Sequence, residues 1–222
     1  AVAELTVGMM LTLLRSVHVS NSQMHLGKWH RFFGKRLSEV TIGIIGIGRI
    51  GKGGLEHLKG FGNPKILVND ISIKDDINNK FNVKWSSKEE IYKKSDIVSL
   101  HLPLTGETKN MIKKNHLLSM KTDAIIINTS RGGIINESDL YEVMKSGHLS
   151  GAAIDVFNEE PYNGPLKEIE RCLLTAHMGS MSVDCRARME IEATEEAVRF
   201  LTGKKLEGRV PEGEYEVQRR GL

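Results

Sequence analysis

Three side chains with catalytic potential, Arg131, Glu160 and His177, each follow an apolar run that is typical of a buried strand. An arginine can hold an anion through a planar fork of donors, and a histidine can exchange protons near neutral pH. A carboxylate paired with an imidazole favours the charged ring and holds its tautomer. Each residue alone has a plainer interpretation: Arg131 as a solvated turn cation, Glu160 as a surface turn residue and His177 as a structural histidine. Their shared position after strand ends favours chemistry, because ligands of open α/β sheets bind there.

A second candidate site is the sequence GIGRIG at residues 46–51, which follows an apolar run and begins a helical pattern. Gly46 allows a tight turn, Gly48 lets a pyrophosphate approach the backbone, and Gly51 permits close packing of helix on strand. Asp70 ends the next apolar run at the spacing of a ribose-binding carboxylate, and no arginine follows it closely. This pattern favours NAD over NADP. A glycine-rich turn without a ligand, and an aspartate that only forms a turn, are the alternatives.

The elements that must position these residues alternate between strands and helices. Apolar runs predict strands at residues 42–46, 65–69, 97–101, 124–128, 152–156 and 173–176. Helical patterns lie between and after them, at residues 49–59, 88–94, 109–120, 138–145 and 183–201. Continuous apolar strands separated by helices are typical of a parallel sheet with both faces covered. The sequence therefore predicts an α/β fold with a doubly wound parallel sheet.

Composition excludes several classes of protein. Charged residues make up 27% of the 222 residues and apolar residues 40%, as in ordinary globular proteins. A formal net charge of +3, with scattered basic residues, does not indicate nucleic-acid binding. The two cysteines, Cys172 and Cys185, lack metal-type spacing, so we expect reduced thiols and a cytoplasmic protein with no metal. Residues 1–14 are apolar but too short for a membrane span and lack the features of a signal peptide.

The ends of the chain suggest its organisation. Because the chain opens on Ala1 inside a helical pattern, we expect a buried helix at the edge of a longer protein. The predicted organisation is a helix and connector at 1–38, a nucleotide-binding domain at 39–181, a helix at 182–203 and a loose polar tail at 204–222.

Taken together, the motifs of this sequence resemble those of one family, the D-isomer-specific 2-hydroxyacid dehydrogenases of the phosphoglycerate dehydrogenase and glyoxylate/hydroxypyruvate reductase type. The resemblance lies in AEL at 3–5, GKW at 27–29, GIIGIGRIG at 43–51, HLPLT at 101–105, NTSRG at 128–132, DVFNEEP at 155–161 and TAHMGS at 175–180. It covers nearly the whole chain before the tail. It implies the Rossmann form of the predicted fold, with inter-domain helices flanking the sheet at both ends of the chain. In that form residues 1–38 are an inter-domain or dimerisation helix and connector, the remnant of the boundary with a missing substrate domain, and residues 182–203 are a return helix.

The resemblance also implies roles for the three residues named first. Oxidation of a 2-hydroxy acid needs a base for the hydroxyl proton while hydride leaves the same carbon. His177 would be that base, and the general acid in the reverse direction. Glu160 would pair with the imidazole, and Arg131 would hold the carboxylate or carbonyl oxygen of the substrate.

Cofactor contacts follow from the same resemblance. Asp155 would bind the nicotinamide carboxamide, residues 101–103 would line the adenosine side, and Thr129 with Ser130 would lie near the nicotinamide ribose. For His101 a packed core histidine is an equal alternative. The full implied set is Gly46, Gly48, Arg49, Ile50, Gly51, Asp70, His101, Leu102, Pro103, Thr108, Thr129, Ser130, Arg131, Asp155, His177 and Gly179.

The sequence departs from the family pattern in three places. Ala176 replaces the usual proline before the histidine, and Gly53 with Gly54 weaken the helix after the glycine motif. The N-terminal half of the family's substrate domain, which supplies a carboxylate-binding loop, has no counterpart in the sequence. We therefore expect this chain to bind NAD but to turn over poorly or not at all.

The leading hypothesis is an NAD-dependent oxidoreductase that moves hydride between nicotinamide and a small 2-hydroxy or 2-oxo acid such as phosphoglycerate, glycerate or glyoxylate. The alternative is an NAD(H)-binding regulatory scaffold similar to the C-terminal-binding corepressors, which share the fold and the three residue types. Relatives dimerise through helices of the nucleotide domain, so we expect a homodimer, although the 1–14 helix could pack only on its own domain. Nucleic acid and membrane are not expected partners.

Overall fold

The computed structural model of the chain describes residues 1–73 and 75–208, so the end of the predicted polar tail lies outside the described residues. The helices are α1 (Val2–Leu14), α2 (Val17–His25), α3 (Arg49–Leu58), α4 (Asp75–Lys80), α5 (Lys88–Lys94), α6 (Lys114–Ser119), α7 (Glu137–Ser146) and α8 (Val183–Leu201). The strands are β1 (Thr41–Ile45), β2 (Lys65–Asn69), β3 (Val83–Trp85), β4 (Ile97–Leu100), β5 (Ile125–Asn128), β6 (Gly151–Ile154) and β7 (Cys172–Leu174).

The seven strands form one parallel sheet in the order β3-β2-β1-β4-β5-β6-β7. The order reverses beside β1, which pairs with β2 on one side and β4 on the other. Each of the central strands β4, β5 and β6 is buried along its whole length, as expected when helices cover both faces. The predicted doubly wound α/β fold is confirmed.

The core has one layer on each face of the sheet. One layer contains α1 and α3, with Met9, Met10 and Leu55 against the strands. The other contains α5, α6 and α7, which contribute Ile91, Leu117 and Leu140. The residues at the carboxyl ends of the strands are thereby fixed to a rigid frame.

The predicted helix at 109–120 is wrong in its first half, because only Lys114–Ser119 is helical. Asn110 has a φ of 51°, and its amide donates to the carbonyl of Gly133. Ile112 then forms a parallel bridge with Ile135. These pairings with the segment after β5 engage the backbone groups that a longer helix would use. Helices α2 and α4 and the short strand β3 were not predicted, while the long α8 at 183–201 is confirmed.

Helices α1 and α2 are separated by Arg15, which caps the end of α1, and by Ser16, whose φ of 50° is not helical. In the described part of the chain no single helix is long and apolar enough to span a membrane. Helices α1 and α2 taken together are long and apolar enough for a span by length and composition alone, but a bend of 64° lies between them. The buried side of α1 packs on α3, β5 and β6 within this domain.

Candidate active site

The loops at the carboxyl ends of the strands carry the predicted site residues. The turn after β1 contains Gly46, and His101 follows β4. Thr129 follows β5, Asp155 follows β6, and the loop to His177 follows β7. In a parallel sheet all of these ends meet at one edge, so the topology alone brings the residues to one side of the molecule.

The three glycines of the motif have different surroundings. Gly46 has a φ of 96°, and a Cβ added to it would lie 2.2 Å from the carbonyl oxygen of His101. A Cβ on Gly51 would lie 2.2 Å from the carbonyl oxygen of Gly46. Both glycines are therefore required by close backbone packing. Gly48 is exposed and an added Cβ would meet nothing within 4 Å, so the surface above it is open to a ligand.

The start of α3 fits the phosphates of a dinucleotide. Gly48 is its N-cap residue and provides no side-chain cap for the amides of the first turn. Arg49 and Ile50 begin the helix, with Arg49 exposed. Unsatisfied amides and the positive end of the helix dipole both favour an anion at this position. The residues present thus fit a bound pyrophosphate.

Asp70 lies directly after β2, and its Oδ2 accepts a hydrogen bond of 2.7 Å from the amide of Ile47. The predicted ribose-binding carboxylate is therefore tied to the glycine-rich turn. Its negative charge lies at the edge of the sheet where β1 and β2 end, beside the turn that fits the phosphates.

His101 is a packed histidine. Its Nε2 is 3.0 Å from the hydroxyl oxygen of Ser99, and its Nδ1 is buried without a hydrogen-bond partner among the described residues. Burial lowers the pKa of His101 to about 4, so the ring is neutral at pH 7. In the following loop Thr108 donates to the carbonyl oxygen of Pro103 at 2.6 Å, and the Leu102 side chain lies close to Gly46. These residues shape the loop beside the glycine motif.

The loop with Arg131 is held from within by Asn128, which is 2% exposed. The Asn128 amide nitrogen donates to the carbonyl of Arg131 at 2.9 Å, and its oxygen accepts from the amide and the hydroxyl of Ser130. A Cβ on Gly132 would collide with the carbonyl of Phe157, which explains why glycine follows the arginine. The exposed Arg131 guanidinium donates to the carbonyl of Ser130 at 2.6 Å. Among the described residues this guanidinium bonds only to the neighbouring backbone, so it can turn to an anionic ligand.

Glu160 and His177 form a pair. Oε2 of Glu160 is 2.8 Å from Nδ1 of His177, and Oε1 accepts from the amide of Phe157 at 3.0 Å. The His177 hydrogen bond, followed by that of Phe157, lowers the pKa of Glu160 below its usual value. The carboxylate is therefore ionised at neutral pH and orients the imidazole, leaving Nε2 of His177 for a ligand.

Asp155 is fully buried and holds the loop that carries His177. Its Oδ1 accepts from the Thr175 hydroxyl at 2.5 Å and from the Met178 amide at 2.7 Å, and its Oδ2 accepts from the Gly179 amide at 2.9 Å. His177 lies between these anchors with a φ of 51°. These bonds show that Asp155 stabilises the His177 loop. They do not test the predicted contact of Asp155 with nicotinamide.

The structure thus joins Glu160 to His177 and links Asp155 to Gly179, whereas Arg131 bonds to its own loop. Residues that sequence reasoning missed are Asn128, Thr175 and Thr6, which anchor the loops. The one signal available for Thr6, a threonine inside the apolar run at 1–14, is shared by Thr12. Among the described residues no cluster of metal-ligating side chains comes together.

Comparison with known proteins agrees with this geometry. The family model described as "D-isomer specific 2-hydroxyacid dehydrogenase, NAD binding domain" matches residues 7–179. A glyoxylate reductase of Thermofilum pendens is 36% identical over 213 residues, covering 92% of this chain and 62% of that protein. A D-3-phosphoglycerate dehydrogenase of Methanocaldococcus jannaschii is 35% identical and aligns over 93% of this chain and 40% of its own length. The chain thus spans less than two thirds of these curated relatives.

Solved structures agree as well. A D-lactate dehydrogenase from Aquifex aeolicus, in complex with NAD and lactic acid, superposes with a TM-score of 0.84 at 27% identity, over 91% of this chain and 66% of that one. A glyoxylate reductase from Paecilomyes thermophila gives a TM-score of 0.87 at 28% identity, over 96% and 65%. The chain therefore belongs to the D-isomer specific 2-hydroxyacid dehydrogenase family and carries its NAD-binding domain.

Proposed function

We propose that the protein is an NAD-dependent oxidoreductase that moves hydride between nicotinamide and a small 2-hydroxy or 2-oxo acid. The observation that carries this proposal is the 2.8 Å pair of Glu160 and His177, at the same sheet edge as the glycine motif and Arg131. Alcohol oxidation requires a general base, because a hydroxyl proton must leave together with the hydride, and a paired imidazole can be that base. When bound, the nicotinamide accepts or returns that hydride.

Residues of this chain transfer the hydroxyl proton of the substrate. Nδ1 of His177 donates to Glu160, which leaves Nε2 as the base that takes the hydroxyl proton of a 2-hydroxy acid. The resulting imidazolium is stabilised by the ionised Glu160 carboxylate, which is itself held by the Phe157 amide. In the reverse direction the same Nε2 returns the proton to the oxygen of a 2-oxo acid.

Arg131 is the proposed substrate anchor. Its guanidinium is exposed and can present two parallel donors to a carboxylate. Such a site takes any 2-hydroxy or 2-oxo acid, in keeping with the names of the relatives, which include glyoxylate reductases and D-3-phosphoglycerate dehydrogenases. The substrate within this class is set by residues other than Arg131.

Asp70 supports NAD as the proposed cofactor rather than NADP. Its carboxylate is tied to the phosphate turn through the amide of Ile47, so its charge would repel a 2′-phosphate on the adenosine ribose. We expect NADH to bind to this chain more tightly than NADPH, which fluorescence titration of both nucleotides would measure. Equal or tighter NADPH binding would contradict this assignment.

The catalytic proposal is tested by the reduction of glyoxylate and hydroxypyruvate, measured as the loss of NADH absorbance. Because slow turnover is expected of this chain, the assay uses a protein concentration high enough to measure a small kcat. Replacing His177 by Asn should lower kcat by about 100-fold or more while leaving the NADH Kd unchanged, because the ring acts on the substrate proton. Replacing Arg131 by Lys should raise KM by about tenfold, because a charge-assisted fork is lost. NADH binding with no His177-dependent turnover on any 2-oxo acid, together with NADH-dependent capture of a partner peptide, would favour the regulatory scaffold instead.

We also propose a homodimer. Its support is a set of apolar side chains after α1 that the described residues leave uncovered: Leu26 is 71% exposed, Trp29 80% and Phe33 104%. Light scattering after size exclusion should give twice the chain mass, and Trp29→Ser should lower it. A monomeric mass at all concentrations would contradict the proposal.

A further inference from the structure

Helix α1 reaches the loop of the proposed substrate arginine through one buried hydrogen bond. The hydroxyl oxygens of Thr6 and Thr129 are 2.8 Å apart, and their side chains are 1% and 6% exposed at the residue level. Thr129 is the first residue after β5 and stands two positions before Arg131. This contact joins two parts of the chain that are 123 residues apart, and it avoids the cost of burying two unpaired hydroxyls.

The direction of this bond follows from a second one. The Thr6 hydroxyl also lies 2.9 Å from the carbonyl oxygen of Val2, to which only it can donate. A hydroxyl has one proton, so both bonds form only if Thr129 donates to Thr6. The Thr129 hydroxyl oxygen can then only accept a hydrogen bond from a further partner. The bond to Thr6 of α1 also fixes the rotamer of the Thr129 side chain.

The same first turns of α1 contact the other parts of the site. The Val2 side chain lies 3.3 Å from the position of a Cβ on Gly179, in the loop held by Asp155. The Ala3 Cβ lies 3.1 Å from the corresponding position on Gly53, in the helix that begins at the phosphate turn. Three loops or helices of the site thus rest on residues Val2, Ala3 and Thr6.

We propose that Thr6 is a positioning residue: its hydroxyl accepts from Thr129 and so sets the loop of Arg131 against the substrate. This inference rests on the proposed role of Arg131 in binding a 2-oxo acid. Asn128 shapes the loop internally, whereas Thr6 fixes the shaped loop to the rest of the domain. Removing the Thr6 hydroxyl leaves Thr129 with a buried proton and without its acceptor, and the loop shifts to find another.

The test compares three variants of the full 222-residue chain with the wild type. Thr6→Val removes the hydroxyl at constant shape, and Thr6→Ser keeps it. Thr194→Val is the matched control, because Thr194 makes the same hydroxyl bond to the carbonyl four residues earlier, in the exposed α8. Two binding constants are measured by fluorescence: that of NADH, and that of oxamate, an unreactive 2-oxo acid analogue, in the presence of NADH. Hydrogen–deuterium exchange of residues 128–133 is followed in parallel.

We expect Thr6→Val to weaken oxamate binding about fivefold, as for one lost hydrogen bond. NADH binding should weaken less, because the glycine motif and Asp70, which are proposed to hold the rest of the nucleotide, stay in place. The amides at 128–133 should exchange about fivefold faster at the same time. Thr6→Ser and Thr194→Val should match the wild type in all three measurements. Unchanged exchange in Thr6→Val, a Thr6→Ser as impaired as Thr6→Val, or equal losses for NADH and oxamate would each overturn the inference.

The exchange measurement separates this inference from the proposed function. If Arg131→Lys leaves oxamate binding unchanged while NADH still binds, oxamate does not bind at Arg131 and the proposed substrate site is wrong. Faster exchange limited to 128–133 in Thr6→Val would still support positioning of the loop by α1 in that case. Unchanged exchange would overturn it whatever oxamate does.

Discussion

Helices α1 and α8 were both predicted to flank the nucleotide domain, yet they differ completely in burial. Seven of the 13 residues of α1 are buried, and its first turns touch three parts of the site. None of the 19 residues of α8 is buried, and its apolar residues Val183, Phe200 and Leu201 are 72–91% exposed. An apolar face stabilises a helix only where other residues cover it. The apolar residues of α1 therefore contribute to the free energy of unfolding, whereas the uncovered apolar residues of α8 do not.

The two helices are also held by different forces. Burial of Met9, Met10 and Leu13 fixes α1, whereas α8 has surface ion pairs such as Arg186–Glu190 and Arg188–Glu192. Pairs of this kind contribute only about 0.2–0.5 kcal/mol each. We therefore infer that α1 belongs to the cooperative unit of this domain and that α8 contributes little to the free energy of unfolding of this chain.

A pair of methionines gives the largest expected effect. Met10 in α1 is 2% exposed, and Met189 in α8 is 47% exposed. Met10→Ala should lower the free energy of unfolding by about 2–5 kcal/mol because it leaves a cavity in the core. Met189→Ala should change it by less than about 0.5 kcal/mol. Urea unfolding followed by circular dichroism measures both. Equal losses would mean that α8 is covered in solution and would remove the contrast.

The contrast between buried and exposed groups should also appear in the pH dependence of stability, because the ring of His101, after β4, is packed, whereas Glu190 of α8 is exposed. Burial lowers the pKa of His101 to about 4 in the folded chain, from about 6.5 when unfolded. The unfolded chain therefore binds more protons between these values, so stability falls as the pH decreases through this window. The loss from His101 amounts to about 2 kcal/mol between pH 7 and pH 5.

Urea unfolding at both pH values tests this with His101→Gln, which does not titrate and should show a smaller loss on acidification than the wild type. Glu190→Gln, on the exposed face of α8, is the control and should keep the wild-type pH dependence. A His101→Gln chain as pH-sensitive as the wild type would show that the ring is solvated in the folded state.

The sequence predicted the fold well for a physical reason. Continuous apolar runs identify buried parallel strands, and six of the seven strands were found in this way. The missed β3, Val83–Trp85, has three residues with an exposed lysine at its centre and gives no such signal. The wrong helix start at 109–120 reflects pairing with the distant Gly133 and Ile135, which no local pattern contains.

The pairing within the candidate site was predictable, but the contacts that support it were not. The resemblance suggested Glu160 and His177 as partners, and the structure brings them to 2.8 Å. The roles of Asp155 as an anchor of the His177 loop and of Thr6 as a partner of Thr129 depend on contacts between distant segments. Sequence spacing carries no information on such contacts, because they arise only once the sheet has formed.

Two adjacent glycines provide the smallest expected effect and the sharpest test of how closely α1 is seated. A Cβ on Gly53 would lie 3.1 Å from the Cβ of Ala3, whereas a Cβ on Gly54 would meet nothing within 4 Å. Both lie inside α3, where alanine is favoured over glycine by about 1 kcal/mol. Gly54→Ala should therefore stabilise the chain by about 0.5–1 kcal/mol in thermal or urea unfolding.

Gly53→Ala should gain less than Gly54→Ala, because α1 must move by a few tenths of an ångström to accommodate the new methyl group. The cause can be isolated by a double-mutant cycle with Ala3→Gly, which removes the opposing methyl group. If α1 is tightly seated on α3, the gain from Gly53→Ala should be larger in the Ala3→Gly background than in the wild type. If the effects of Gly53→Ala and Ala3→Gly are additive, α1 is loosely packed on α3. Helices α1 and α8 would then differ in exposure but not in how tightly they are held.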